Sequence, residues 1–361
     1  MKTKNRSAVA QSKTIATIRR ITMSFTIMAM TIALVILTGA QSGVKANGTN
    51  SQPTGSSAGN VCNDRIDVTY SSGLQPTAVQ PWFISSLRTD GVIKLKGYLY
   101  LPGGKSISDS LDELPAIIYN HGSGSTNHGQ IVNHACEMAE YFTSRGFAFF
   151  IPHRRGHGDS TGMYVGDFVD IMAANQSSAA KHAWTLLYLQ DQTYEVSRAI
   201  DFLSTLKNSA KKPVIDMNKV AIMGHSYGGM VTLFNNNLLT THKAAVDIAG
   251  ASESWDAYDN EDGSLDNSSA SIDVLKAAVR GANKPIFFFE PKNDVSTRPT
   301  IVLSKVAGDA DERYQAAIYG PVPLDPGETT TDAHSKFVTE QDQVEKWGPA
   351  VIEFLARHGV K

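Results

Sequence analysis

Six short, wholly apolar runs separated by stretches of helical periodicity constrain this chain more than any other feature. The runs are LPAIIYN (114–120), FAFFIP (147–152), KVAIMG (219–224), AAVDIAG (244–250), PIFFFE (285–290) and YQAAIYG (314–320). Between and after them lie HACEMAEYFTSRG, DQTYEVSRAIDFLSTL, SYGGMVTLFNNNLL, SIDVLKAAVRGA, RPTIVLSKVAG and VEKWGPAVIEFLARHG. A strand that is apolar on both sides must be covered on both faces, and helices between consecutive strands supply that cover. A mostly parallel sheet with helices on both faces is therefore expected. Two earlier segments, RIDVTY and VIKLKGYLYLP, alternate apolar and polar residues instead. They read as half-buried strands forming an antiparallel N-terminal edge.

The N-terminal segment has a different character. Residues 1–20 carry Lys2, Lys4, Arg6, Lys13, Arg19 and Arg20 and no acid, and the apolar run ITMSFTIMAMTIALVILTGA follows. A basic region, an apolar region and small residues at Ala40 and Ala46 are the parts of an export signal, expected here over 1–46. The alternative is an uncleaved anchor, because the run is close to the length that spans a bilayer. Residues 47–60 are rich in Gly, Ser, Asn and Thr and read as a flexible linker. Residues 61–361 are expected to form one domain, with cap-like insertions near 162–190 and 252–271, where the strand–helix alternation is poor. The net charge of −2 gives no footprint for nucleic acid. The two cysteines, Cys62 and Cys136, could pair after export or stay as thiols. No His/Cys spacing suggests a metal site.

Gly224-His225-Ser226-Tyr227-Gly228 has the G-x-S-x-G pattern, with a strand before it and a helix after it. So tight a strand-to-helix turn needs small neighbours, and the helix N-terminus favours negative charge developing beside the serine. Ser226 is thus the candidate nucleophile. A serine hydroxyl needs a base, which in this order follows it in the chain. Downstream histidines are His242, at a helix end, His358, in the final helix, and His334, in TTTDAHSKF, read as a loop. His334 is the candidate base. The acid is expected just past PIFFF, where Asp294 is favoured over Glu290; Asp311, Asp325 and Asp332 read as solvated. An oxyanion site needs two backbone N–H groups, expected from Tyr227 and from Ser123 in the Gly-rich HGSGSTNHG. The stretch PHRRGHGDSTG, with Arg154, Arg155 and His157, reads as scaffold shaping the site; substrate contact by Arg155 or His157 is the alternative.

YNHGSG, PHRRGHGDSTG, VAIMGHSYGGM, FFFEPKND, DAHSKF and Trp347 before VIEFL occur in one order from about Val92 to the end. In this the chain resembles the α/β-hydrolase superfamily, in its dienelactone-hydrolase-like and prolyl-oligopeptidase-like branch. The resemblance implies an α/β-hydrolase fold and a cofactor-free Ser–Asp–His triad. There are departures: Ser226 stands where dienelactone hydrolases use cysteine, and Ala333 where glycine usually precedes the catalytic histidine. The segment before Val61 is too short and polar for a β-propeller, so a classical oligopeptidase is not expected.

The resulting expectation is a secreted serine hydrolase acting on small or polymeric carboxylic esters. A peptidase with the same triad and a non-catalytic binding protein of the same fold are the alternatives. Nucleic acid is not an expected partner, and membrane only through an uncleaved N-terminal segment.

Overall fold

The structure, a computed structural model, describes residues 64–72, 93–109, 113–123, 135–175, 178–239, 241–252, 270–282, 284–306 and 311–361. The expected leader and linker, Cys62, and most of the second insertion lie outside these residues.

Every apolar run is a strand. The strands are β1 (Ile66–Ser71), β2 (Lys94–Tyr100), β3 (Leu114–Asn120), β4 (Ala148–Pro152), β5 (Ile215–His225), β6 (Ala244–Ile248), β7 (Ile286–Pro291) and β8 (Tyr314–Tyr319). They form one sheet in the order β1-β2-β4-β3-β5-β6-β7-β8. Pairings β1–β2 and β2–β4 are antiparallel, and the rest are parallel. Two antiparallel strands feeding a parallel sheet in this order are the α/β-hydrolase fold.

Because side chains alternate along a strand, one sheet builds two cores. On one face Ala116, Ile118, Phe150, Val220, Ile222 and Phe288 are buried. Helices α3 (Ser178–Thr205), α4 (Tyr227–Leu238) and α5 (Ala270–Gly281) cover them with residues such as Ile200, Leu233 and Leu275. On the other face Ile117, Phe149, Met223, Val246, Phe287 and Phe289 are buried. Against these pack α1 (Cys136–Thr143), α7 (Thr330–Thr339) and α8 (Gln341–Arg357). Trp347 of α8 is fully buried there, and its Nε1 donates to the Phe337 oxygen at 2.9 Å. Each such aromatic stabilises the fold by roughly 1.5–3 kcal/mol through area removed from water. The α8–α7 contact therefore ties His334's helix to the sheet.

Two local expectations are corrected. The segment holding His334 is helix α7, started by a capping box between Thr329 and Asp332, where a loop was expected. The insertion near 162–190 is largely helical. It contains α2 (Val165–Met172) and the first turns of α3, which begins at Ser178 rather than near Asp191. Asp332 is solvent-facing as expected, and accepts from the Thr329 N–H at 2.7 Å as part of that cap. The short helix α6 (Arg298–Ser304) follows the expected RPTIVLS stretch. Among the described residues, no helix is long and apolar enough to cross a membrane.

Candidate active site

Strand β5 ends at His225, and α4 begins at Tyr227, so Ser226 alone makes the turn. Its φ of 57° and ψ of −124° are a strained conformation for a residue with a side chain. The turn leaves no room around it. A Cβ on Gly224 would fall 2.1 Å from the Gly228 oxygen, and one on Gly228 would fall 2.0 Å from the Asn120 oxygen. The glycines of the motif are thus required by contact. The Ser226 N–H donates to the Ile248 oxygen at 3.0 Å, which pins the turn to the end of β6.

His334 and Asp294, forty residues apart, meet beyond the ends of the parallel strands. Nδ1 of His334 lies 2.8 Å and 2.9 Å from the two carboxylate oxygens of Asp294. Nδ1–H therefore donates, and Nε2 carries the lone pair. Nε2 is buried and makes no hydrogen bond among the described residues. Asp294 is itself held, by Ser252 Oγ at 2.5 Å and the Val295 N–H at 2.7 Å. On the far side of His334, the ring of His225 packs at 4.3 Å between centroids, and its Nε2 donates to the His334 oxygen at 3.1 Å. Burial, then the neighbouring His334, hold His225 well below the usual imidazole range, so it is a neutral donor.

The rival acid, Glu290, is fully buried in β7. Burial first, then the nearby Asp294, raise it to about 9, so at neutral pH it is a protonated acid. The histidine pairs with Asp294. His242 is buried against Asn236 Oδ1 at 2.7 Å, and His358 caps the end of α8; neither joins the cluster.

The upstream loop does reach the elbow. A Cβ on Gly122 would stand 3.4 Å from the Ser226 Cβ and 3.3 Å from His225 Nδ1, so His121-Gly122-Ser123 runs directly past the serine. The second arm of this loop rests on PHRRGHGDSTG. Arg154, 2% exposed, donates to the oxygens of His121 and Gly122 and to Ser123 Oγ. Its guanidinium also lies over the Tyr227 ring at 5.1 Å. Burial lowers it to about 10, which leaves it charged at neutral pH. Arg155 turns the other way. Its Nε lies 2.6 Å from Glu195 Oε1 and its Nη1 3.0 Å from Asp191 Oδ2, tying the loop to α3. His157 is fully buried and lowered to about 3, by burial and then Arg154. Arg155 and His157 thus act as scaffold in this structure. The acidic partners of Arg155 on α3 carried no recognisable signal in the sequence, nor did Ser252 or the role of His225.

Cys136, the first residue of α1, is disulfide-bonded. The chain has one other cysteine, Cys62. Among the described residues no group of three or more His, Cys, Asp or Glu is placed to hold a metal ion.

An α/β-hydrolase sheet carrying a strained serine elbow defines the class, a serine hydrolase. The family model for the X-Pro dipeptidyl-peptidases (S15 family) matches residues 90–287, more than half of the chain. The chain belongs to that family, within the α/β-hydrolase clan. No curated protein matches it. Among solved structures, it is 19% identical to Est1E from Butyrivibrio proteoclasticus with ferulic acid bound, over 74% of this chain and 97% of that one, at a TM-score of 0.45. It is 15% identical to the α/β hydrolase GrgF from a Penicillium species, over 81% and 98%, at 0.48. It is 14% identical to an acylaminoacyl peptidase from Pyrococcus horikoshii, at 0.48. That match takes in 73% of this chain but spans only 39% of the peptidase.

Proposed function

We propose that the protein is an exported esterase that cleaves carboxylic esters through Ser226, His334 and Asp294. Ser226 Oγ attacks the ester carbonyl while His334 Nε2 takes its proton, and Asp294 holds the imidazole in the tautomer that allows this. The Tyr227 and Ser123 N–H groups receive the negative charge that develops on the carbonyl oxygen. The proton on Nε2 then passes to the leaving alcohol, and water releases the acyl group by the same steps. One observation carries this reading: Nδ1 of His334 is held by both Asp294 oxygens while Nε2 has no hydrogen bond among the described residues.

A second reading, hydrolysis of X-Pro peptides, is favoured by the description of the matching family. Cutting from a free N-terminus needs a carboxylate for the ammonium group. Among the described residues, Asp294 is engaged by His334 and Asp191 and Glu195 by Arg155, while Asp247 and Glu290 are buried with their carboxyls pushed up to about 7 and about 9, chiefly by burial. This is why esters are preferred here. Turnover of p-nitrophenyl acetate against an X-Pro p-nitroanilide tests the choice. Faster anilide turnover per enzyme would reverse it. Absence of covalent labelling by a fluorophosphonate would defeat both and leave a binding protein.

Export rests on the basic and apolar leader over 1–46, and the disulfide at Cys136 supports an oxidising destination. Residues 61–361 are taken as the catalytic domain. Processing of an expressed full-length precursor, read by mass at the mature N-terminus, tests this.

A further inference from the structure

Arg154 stands out among the buried charges. It has no carboxylate within ion-pair distance among the described residues, unlike its neighbour Arg155 with two. A buried cation without a counterion costs several kcal/mol, even when hydrogen-bonded. Its bonds go to three consecutive residues of one loop: the carbonyls of His121 and Gly122 and the hydroxyl of Ser123.

That grip fixes a direction. The peptide joining Gly122 to Ser123 is trans, as are the other described peptides, so its C=O and N–H point opposite ways. With the Gly122 oxygen held 3.0 Å from Arg154 Nη2, the Ser123 N–H is turned away from the guanidinium. The bare face of Gly122 lies against Ser226. Surrounding groups lock the arrangement. His121 donates from Nδ1 to the Gly122 oxygen at 2.7 Å and accepts the Arg154 N–H at Nε2, 3.4 Å away. His157 donates from Nδ1 to the Arg155 oxygen at 3.1 Å, so its Nε2 accepts from Ser123 Oγ at 3.4 Å. Each imidazole is neutral, and each tautomer is fixed by its partners.

We propose that Arg154 is the positioning residue of the oxyanion site: its fork aims the Gly122–Ser123 peptide. Its charge, set against loop carbonyls and the Tyr227 ring, also adds positive potential where the oxyanion forms. This rests on the ester reading above. A lysine cannot reproduce it, because an ammonium lacks the planar fork that spans two carbonyls and a hydroxyl.

The test uses wild type, Arg154→Lys, Arg154→Met and Arg154→Ala, with kcat and KM for p-nitrophenyl acetate, the rate of fluorophosphonate labelling, and thermal melts. Loss of one aimed donor predicts kcat lower by about 100-fold in Arg154→Met, with KM within about 3-fold of wild type. Labelling should slow in parallel, since the phosphonyl oxygen uses the same donors. Arg154→Lys should keep about a tenth of kcat, and added guanidinium should restore part of the kcat of Arg154→Ala. A folded Arg154→Met with kcat within about 3-fold of wild type, or a loss confined to KM, would overturn the assignment. If the neutral variants do not fold, Arg154→Lys decides, and full kcat in it overturns the proposal. A wild type that takes the label but hydrolyses no ester refutes the substrate reading and leaves the labelling rate to judge Arg154. A wild type that takes no label refutes both.

Discussion

His225 Nε2 donates to the main-chain oxygen of His334 at 3.1 Å, so the residue next to the candidate nucleophile grips the backbone of the candidate base across 109 positions of sequence. Burial keeps His225 neutral, and this bond places its proton on Nε2. His225→Ala removes the strut and leaves the His334 oxygen buried without its donor. The expected result is kcat lower by about 10-fold, with a melt down by about 1–3 kcal/mol equivalent. Ester kinetics with a thermal melt check this, and unchanged kcat would refute it.

Ser226 carries two opposing demands. Ser226→Ala should lower kcat by about 10⁴-fold or more while leaving the fold intact. Ser226→Gly should be equally inactive yet melt higher than Ser226→Ala, because glycine relaxes the strain of φ 57°. Calorimetry on the two variants measures the difference. Equal melting temperatures would mean that the elbow stores no strain.

Asp294→Asn should lower kcat by about 10⁴-fold with KM little changed, because an amide at that place allows the wrong His334 tautomer. Asp294 also accepts from Ser252 and the Val295 N–H, so a smaller loss of stability should accompany it. Steady-state kinetics separate the two effects.

Glu290 sets a pH slope on stability. Its native value is raised to about 9 from an ordinary 4.5, by burial and then Asp294. The native state therefore keeps a proton that the unfolded chain releases between those limits, and stability falls as pH rises through that window. Asp247, raised to about 7 by burial, acts in the same direction. Glu290→Gln should melt less steeply with pH, gaining about 5 °C or more over wild type at pH 8.5 relative to pH 5. Parallel melting curves for the two proteins would count against it.

Arg155→Met leaves Glu195 and Asp191 buried without their cation, and a loss of about 3–5 kcal/mol is expected. The triple change to apolar residues at 155, 191 and 195 should recover much of that loss. Chemical denaturation of both variants measures it.

The sheet was legible because strands such as PIFFFE and FAFFIP are apolar on both sides, which only a doubly covered sheet explains. Ser226 was legible as a candidate from the G-x-S-x-G pattern itself: Gly224 answers to Gly228 four residues on, while the demand on Gly228 comes from Asn120 on a neighbouring strand. His334 was singled out by chain order as the candidate base, and its segment, expected as a loop, is helix α7. Thr329 and Asp332 form a capping box that starts a helix, a three-residue spacing present in TTTDAHSKF. Position favoured Asp294 over Glu290; both are buried, and what divides them is that Asp294 is the one that meets His334. Arg154 and Arg155 look interchangeable as letters. Their opposite partners, loop carbonyls for one and two acids of α3 for the other, lie from about thirty to forty residues away.

Helix α8 holds the helix of His334 through Trp347, while the elbow is complete more than a hundred residues earlier. A chain that is threaded through a membrane from its N-terminal end therefore has its nucleophile before its base. On the reading above, it stays inert until α8 has emerged and docked. On the proposed export, the order of its elements alone keeps such a hydrolase silent during transit.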